Sequence, residues 1–184
     1  MSTISATASA TILYTGQGTP AIRICDPVEA IVVNASGCGV SVKDYGRALA
    51  HDPDYADKAR RVSETARDLS ELLPGLTGAL KSALGNRRAS GVLAYHPPCS
   101  LQHGQQLRGQ VEAALGALGF EVRLPLQDAA LCCGSAGTYS VLQPALSKQL
   151  RERKQASLAA LEPDTVVSAN IGCITHLQAG CRTP

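Results

Sequence analysis

The sequence has few aromatic residues and little net charge. Its 184 residues include no Trp, one Phe and five Tyr, so a core must be built from Ala, Val and Leu without large anchoring side chains. The 17 basic and 15 acidic residues leave a net charge of +2, which argues against nucleic acid or an anionic membrane as the main partner. Charged residues are only 17% of the chain, which argues against a disordered tail. We expect a cofactor or a partner chain to complete so thin a core.

Three kinds of segment are also missing. No stretch approaches the roughly 18 apolar residues of a membrane-spanning helix, and the N-terminus lacks the basic and apolar regions of a secretory signal. None of the seven cysteines forms a C-x-x-C pair, the usual unit of structural zinc sites. These absences predict a cytoplasmic chain, free or peripheral to the inner face of the membrane, in which cysteines serve metal or redox chemistry.

Apolar runs that are typical of strands alternate with amphipathic helical stripes. Strands are predicted over residues 28–34, 91–96, 120–124 and 165–169. Helices are predicted up to residue 50, over 52–73 with an end at Pro74-Gly75, over 76–84, over 106–118 and from residue 144. The alternation predicts an α/β fold, a layered sheet with flanking helices. In the helix that Pro144 opens, Arg151, Arg153 and Lys154 predict a solvated basic face or a docking surface.

Two short segments resemble each other, and they suggest an internal repeat. Residues 31–38 align with residues 166–173 without gaps. Each segment is an apolar run that ends in small residues followed by Gly-Cys. The chain is therefore predicted to hold an incomplete pair of related units. The predicted parts are a poorly ordered leader (1–25), the end of a first unit with a helical connector (26–85), and a second, cysteine-rich unit truncated at its C-terminus (86–184).

Cysteines follow the predicted strands. Cys38, Cys99 and Cys173 each stand just after a strand and near a helix start, and Cys132-Cys133 lie in a loop before a helix. The carboxyl ends of strands bind ligands in open α/β sheets, and helix N-termini favour the thiolate that binds metal. Four of these cysteines lie in the second unit, which is the number that an iron–sulfur cluster or a structural zinc needs. Adjacent cysteines suit a cluster better than a single tetrahedral ion.

Histidines add candidate ligands. Cys173 and His176 form a C-x-x-H pair, so His176 is a candidate ligand or a donor to one. His96 ends a predicted strand and is a candidate hydrogen-bond donor to cluster sulfurs. A pair between the adjacent cysteines and His96 or His103 would instead indicate a thiol-redox enzyme that needs no metal.

Six segments carry a resemblance to a known family. They are NASGCGVSVKDYG (34–46), DPDYADKARRVSE (52–64), CSLQHGQQL (99–107), LCCGSAGTYSVLQP (131–144), LRERK (150–154) and ANIGCITHLQ (169–178). The pattern resembles the cysteine-rich CCG domain that occurs in heterodisulfide reductase and in the iron–sulfur subunits of several oxidases. It is most similar to the C-terminal part of the iron–sulfur subunit of glycolate oxidase (glycolate dehydrogenase). The ferredoxin-like cysteine runs of that family are missing, so we expect a fragment.

The resemblance implies an electron-transfer subunit of an oxidoreductase complex. In such complexes flavin-containing subunits oxidise glycolate, and electrons pass through iron–sulfur clusters to an acceptor such as a quinone. The resemblance implies one cluster, expected to be [4Fe-4S], with no flavin on this chain and no catalytic competence of the chain alone. Its implied metal ligands are Cys99, Cys132, Cys133 and Cys173. Cys38, at the end of the preceding repeat, and His176 are further candidate cofactor-binding residues.

Two other functions stay open. One is a CCG-domain subunit of a lactate-utilisation or heterodisulfide-reductase-like complex, since relatives of the CCG type act there. The other is a structural zinc-binding or metal-free interaction module. The adjacent cysteines and the missing C-x-x-C pairs favour the cluster over zinc.

Overall fold

The computed structural model describes residues 28–85 and 91–181. The predicted leader over residues 1–25 lies outside the described residues. Within the described ranges, every helix is too short or too polar to cross a lipid bilayer.

Short strands and helices alternate along the described chain. The strands are β1 (Ile31–Val33), β2 (Ala66–Asp68), β3 (Val92–His96), β4 (Glu121–Arg123) and β5 (Thr165–Ser168). The helices are α1 (Ser36–Ala48), α2 (Ala56–Thr65), α3 (Leu69–Leu84), α4 (Gln110–Ala117), α5 (Tyr139–Leu142), α6 (Pro144–Ala159) and α7 (Ile171–Gln178). A single turn of π-helix covers Ser100–Gly104. This order confirms the predicted α/β fold with flanking helices.

The first sheet has two parallel strands, β1 and β2, joined by α1 and α2. The two helices pack closely because small residues meet at their contact. A Cβ added at Gly46 of α1 would lie 3.1 Å from the Cα atom of Arg60 in α2. The Gly46 amide also donates a hydrogen bond to Ser63 Oγ over 2.8 Å. This unit packs against the turn at Ser100–Gly104 and so borders the cysteine-rich part of the chain.

The structure corrects the helix predicted over residues 52–73. α2 ends at Thr65, β2 follows, and α3 then runs from Leu69 straight through the predicted stop at Pro74. The apolar stripe misled the prediction, because Ala66 of β2 happens to continue the helical spacing. Pairing with β1 decides the conformation of residues 66–68. Pro74, the sixth residue of α3, removes one backbone hydrogen bond of the helix without ending it.

The second sheet places β3 between β4 and β5, and both neighbours run parallel to it. From β3 the chain crosses by α4 to β4 on one side. It then returns through α5 and α6 to β5 on the other side. The strand order therefore reverses at the carboxyl end of β3, the position at which open parallel sheets bind ligands.

The core beside β3 is made of aliphatic residues and two cysteines. Its buried members are Ala94, Cys133, Leu158, Cys173 and Leu177. Two of these five residues are candidate metal ligands. The candidate site is therefore part of the core and not a separate surface feature.

A buried carboxylate ties the first sheet to the cysteine-rich part. Asp68 is 2% exposed and ends β2. It caps α3 by accepting from the Ser70 amide over 2.9 Å, while Glu71 accepts from the Asp68 amide to complete a capping box. Asp68 also accepts from Gln105 Nε2 over 2.9 Å, and the same nitrogen donates to the Ser36 carbonyl. Gln105 directly follows the turn that Cys99 precedes.

Replacing Asp68 with Ala is expected to lower the free energy of unfolding by about 1–3 kcal/mol, because a helix cap and a buried acceptor are lost together. Urea unfolding followed by circular dichroism measures the loss. The control is Asp57→Ala, since the Asp57 side chain is 83% exposed and such a change costs about 0.5 kcal/mol or less. Equal losses in the two variants would refute the structural importance of Asp68.

Candidate metal centre

The candidate site lies at the carboxyl end of the central strand. His96 is the last residue of β3, and Cys99 precedes the π-helical turn at Ser100–Gly104. Cys173 lies in the first turn of α7, the helix that follows the neighbouring strand β5. The switch in strand order thus brings two strand ends and their cysteines to one place, as the sequence predicts.

The repeat predicted around Cys38 and Cys173 has a matching backbone. Each cysteine is the third residue of a helix that directly follows a short strand. The two corners also meet, since the Ser36 amide donates to the Ala169 carbonyl over 3.3 Å. Their burial differs, because Cys173 is 3% exposed whereas Cys38 lies exposed. The structure does not bring Cys38 into the cysteine group, and the division into two related units stays a prediction.

A tight turn holds the adjacent cysteines. Gly134 has a φ of +93°, which favours glycine, and an added Cβ would lie 2.5 Å from the Ser147 carbonyl oxygen of α6. Ser147 is buried, and its hydroxyl donates to the Gly134 carbonyl over 2.9 Å. The Gly134 amide lies 3.3 Å from Cys132 Sγ and donates to it. The start of α6 therefore fixes the turn, and the turn fixes both sulfurs.

The four sulfurs lie in two adjoining groups. Cys99 Sγ and Cys132 Sγ are 4.0 Å apart and partly exposed. Cys133 Sγ, Cys173 Sγ and a ring nitrogen of His96 all lie within 4.8 Å of one another and are buried. The peptide bond between Cys132 and Cys133 joins the two groups. All four sequence-predicted metal ligands are thus brought together.

Hydrogen bonding among the thiols divides them into donors and acceptors. Cys133 and Cys99 lower the pKa of Cys132 to about 2 against the opposing effect of burial. Cys133 likewise lowers the pKa of Cys173 to about 4, with a further contribution from His96. The pKa values of Cys99 and Cys133 are raised, first because each thiol donates to Cys132 and then because of burial. Two thiolates, the form that binds metal, are therefore favoured at neutral pH.

The structure corrects the prediction that Lys154 belongs to a solvated basic face. It is fully buried, and its ammonium group donates to the carbonyls of Asp128 and Ala129 in the loop before the adjacent cysteines. Burial lowers its pKa, while the neighbouring Asp128 and cysteines oppose that change. Only Arg153 of the predicted face is solvated as expected, and it pairs with Asp128 over 2.6 Å. Lys154 anchors the cysteine loop and places a cationic side chain near the sulfurs.

The other candidate nitrogen ligand, His176, is held differently. Its Nε2 atom lies 3.2 Å from Ser147 Oγ, and the ring is partly exposed. His103 is exposed and lies 3.5 Å from an Arg108 nitrogen. The spacing between Cys173 and His176 puts both on one side of α7, but α6 engages the His176 ring.

Sequence reasoning missed Asn170, which precedes α7. Its side chain does not cap the helix in the described structure. The amide instead donates to Cys173 Sγ over 3.4 Å. An Asn directly before a predicted helix indicates a cap, so the sequence signal existed but pointed to the wrong partner.

An open cleft of about 570 Å³ adjoins the sulfurs. Cys99 and Cys173 line it together with small residues of the two facing corners and the loop after Gly134. These include Gly37, Ser100, Ser135, Ala136, Gly137 and Gly172. The cleft leaves room beside the sulfurs of Cys99 and Cys173 for a group larger than one ion, and His176 also lines it.

The donor set fits a thiophilic metal group. Four sulfurs, two of them favoured as thiolates, match the ligands of an iron–sulfur cluster. His96 is 1% exposed, and neither ring nitrogen has a hydrogen-bond partner among the described residues. A buried imidazole without partners costs free energy, so a metal group in this position would resolve an unfavourable feature of the fold.

The part of the chain that carries these features matches a known family model. Residues 93–178 match the model of the cysteine-rich domain named CCG. This region is therefore similar to the cysteine-rich CCG domain, and the match includes the adjacent cysteines and Gly134.

Particular relatives are similar over most of the chain. The glycolate oxidase iron-sulfur subunit of Escherichia coli is 49% identical over 155 residues, which are 84% of this chain and 37% of that protein. The probable glycolate oxidase iron-sulfur subunit of Bacillus subtilis is 27% identical over 83% of this chain and 34% of that protein. Lactate utilization protein A of Anoxybacillus flavithermus is 29% identical over 85% of this chain and 64% of that protein. The chain thus spans about a third of the first two relatives.

Replacing Gly134 with Ala is expected to lower the free energy of unfolding by about 1–3 kcal/mol more than Gly137→Ala. Both glycines have positive φ, but only the Cβ at residue 134 would meet backbone, at the Ser147 carbonyl. Gly137 has open space within 4 Å, so its variant isolates the backbone strain. Chemical denaturation of the metal-free chain measures both, and equal losses would argue against a turn fixed by α6.

Proposed function

We propose that this chain is part of an iron–sulfur electron-transfer subunit of a glycolate-oxidising complex. The observation that carries the proposal is the convergence of four cysteine sulfurs at the strand switch, in a chain 49% identical to a glycolate oxidase iron-sulfur subunit. The proposed metal ligands are Cys99, Cys132, Cys133 and Cys173. The proposed group is a [4Fe-4S] cluster, which when bound takes up and passes on single electrons.

The chain's own residues hold and shield this position. The turn at Gly134 orients two sulfurs, while the amides of Gly134 and Asn170 donate to Cys132 and Cys173. Such hydrogen bonds to sulfur stabilise added negative charge and tune a reduction potential. The buried Lys154 ammonium compensates part of the thiolate charge.

The proposed partners are flavin-containing subunits on the donor side and a quinone-type acceptor on the other side. The cleft supports this arrangement, because small residues leave Cys99 and Cys173 close to the surface on which a partner would dock. The open side and the partly exposed pair of Cys99 and Cys132 give electrons a short entry or exit.

Anaerobic reconstitution with ferrous iron and sulfide tests the proposal. We expect about four irons and four sulfides per chain, with an EPR signal after reduction. The double variant Cys132→Ser/Cys133→Ser should lose both, whereas Cys181→Ser should keep both, since Cys181 is exposed and bonds to Gln155 and Leu177 instead.

Three outcomes would overturn this proposal. Bound zinc without sulfide would indicate the structural module, and active thiol exchange without any metal would indicate the thiol-redox enzyme. Loading that survives in the double variant would show that the metal ligands lie elsewhere.

Lactate utilisation is the second candidate function, supported by the 29% identity to lactate utilization protein A. We expect the reconstituted chain, mixed with flavin-containing subunits of a glycolate oxidase, to bleach in the visible range on addition of glycolate. The Cys132→Ser/Cys133→Ser variant serves as the control. Bleaching with L-lactate and its own flavin enzyme, but not with glycolate, would favour the second function.

A further inference from the structure

His96 is the buried polar side chain that the proposed ligand set leaves unexplained. It is 1% exposed, and both ring nitrogens lack a hydrogen-bond partner among the described residues. Buried polar groups are nearly always paired, so an imidazole held this way indicates a partner of another kind. That partner must lie within reach of the ring.

The surroundings of the ring define the partner. One ring nitrogen lies within 4.8 Å of both Cys133 Sγ and Cys173 Sγ, and the two sulfurs also lie within 4.8 Å of each other. All three residues are nine-tenths or more buried. Imidazole nitrogen and thiolate sulfur are the donors that zinc and iron prefer. The three atoms therefore outline one face of a metal site on its inner side.

Rigid elements hold this face in place. His96 ends β3, the central strand, and Ser168 Oγ donates to its carbonyl over 2.8 Å. Cys133 is fixed by the Gly134 turn, and Cys173 by the start of α7. The sheet therefore fixes the backbone of His96, and the fold buries its ring.

The other candidate nitrogen ligand, His176, contacts a different partner. His176 Nε2 lies 3.2 Å from Ser147 Oγ, on the side of α7 that faces α6. His176 does not join the group formed by His96, Cys133 and Cys173 among the described residues. The structure thus favours His96 over the histidine that stands next to Cys173 in sequence.

We propose that His96 is a direct ligand of the metal group at this site, a fifth ligand in addition to the four proposed cysteines, bound through a ring nitrogen beside Cys133 and Cys173. This inference rests on the proposed function. A neutral imidazole offers its lone pair and keeps its proton on the other nitrogen, so binding releases no proton from the ring. Because it adds no negative charge where a thiolate would, it shifts the reduction potential of the site to more positive values, as histidine ligation does in other iron–sulfur centres.

Nitrogen hyperfine spectroscopy tests the proposal. The full chain, labelled with ¹⁵N in its four histidines, is reconstituted anaerobically with ferrous iron and sulfide and brought to a paramagnetic state. We expect a strong nitrogen coupling that changes from the ¹⁴N to the ¹⁵N pattern on labelling. His96→Gln should abolish this coupling, whereas His176→Gln and His103→Gln should keep it.

A second variant separates ligation from packing. His96→Cys supplies another ligand atom, so we expect normal iron content, no histidine coupling and a more negative midpoint potential. A purely structural His96 would not give a potential shift together with retained iron. Circular dichroism checks that each variant keeps its fold.

Failure of this inference can be distinguished from failure of the proposed function. A wild-type chain that takes up no iron and sulfide contradicts the function and the inference together. A chain that loads normally but shows no histidine coupling, or keeps it in His96→Gln, overturns the inference alone.

Discussion

Burial of sulfur is the constraint on which the rest of this structure depends. Cys133 and Cys173 occupy positions in the core beside Ala94, Leu158 and Leu177, where a neutral thiol packs as a small apolar group. A thiolate in the same place is costly unless charge or hydrogen bonds compensate it. The Asn170 side-chain amide donates to Cys173 Sγ, and the Lys154 ammonium interacts electrostatically with the cysteines, while the Gly134 amide donates to the partly exposed Cys132. The same atoms make the core and the site, so stability and metal binding are coupled.

The scarcity of large side chains fits this coupling. Tyr95 is one of the few large residues that are fully buried, and burial raises the pKa of its hydroxyl, which has no hydrogen-bond partner among the described residues. A core of Ala and Leu around four sulfurs supplies limited apolar area. A bound metal group would add free energy of folding that such a core cannot provide by itself.

The sequence predicts the strand ends and the cysteine group because both depend on local patterns. β3, β4 and β5 lie within the predicted strands, and the strand-then-cysteine order points to one edge of a parallel sheet. β2 is missed because Ala66–Asp68 has no β pattern of its own and gains its conformation from β1. Lys154 is misjudged because charge usually means exposure. His96 is underrated because only the tertiary fold shows which histidine lacks a partner.

The four sulfurs form one partly exposed pair and one buried pair, and the two pairs differ in their access to oxidants in the metal-free chain. Cys99 and Cys132 are partly exposed with their sulfurs 4.0 Å apart, whereas a disulfide requires roughly 2.05 Å. Oxidants reach accessible thiolates first, which favours the partly exposed Cys132 with its lowered pKa, whereas Cys133 and Cys173 are buried. Oxidation would thus reach the outer pair before the inner one. A mild reductant could then restore the ligands, since an exposed disulfide is accessible to thiol exchange.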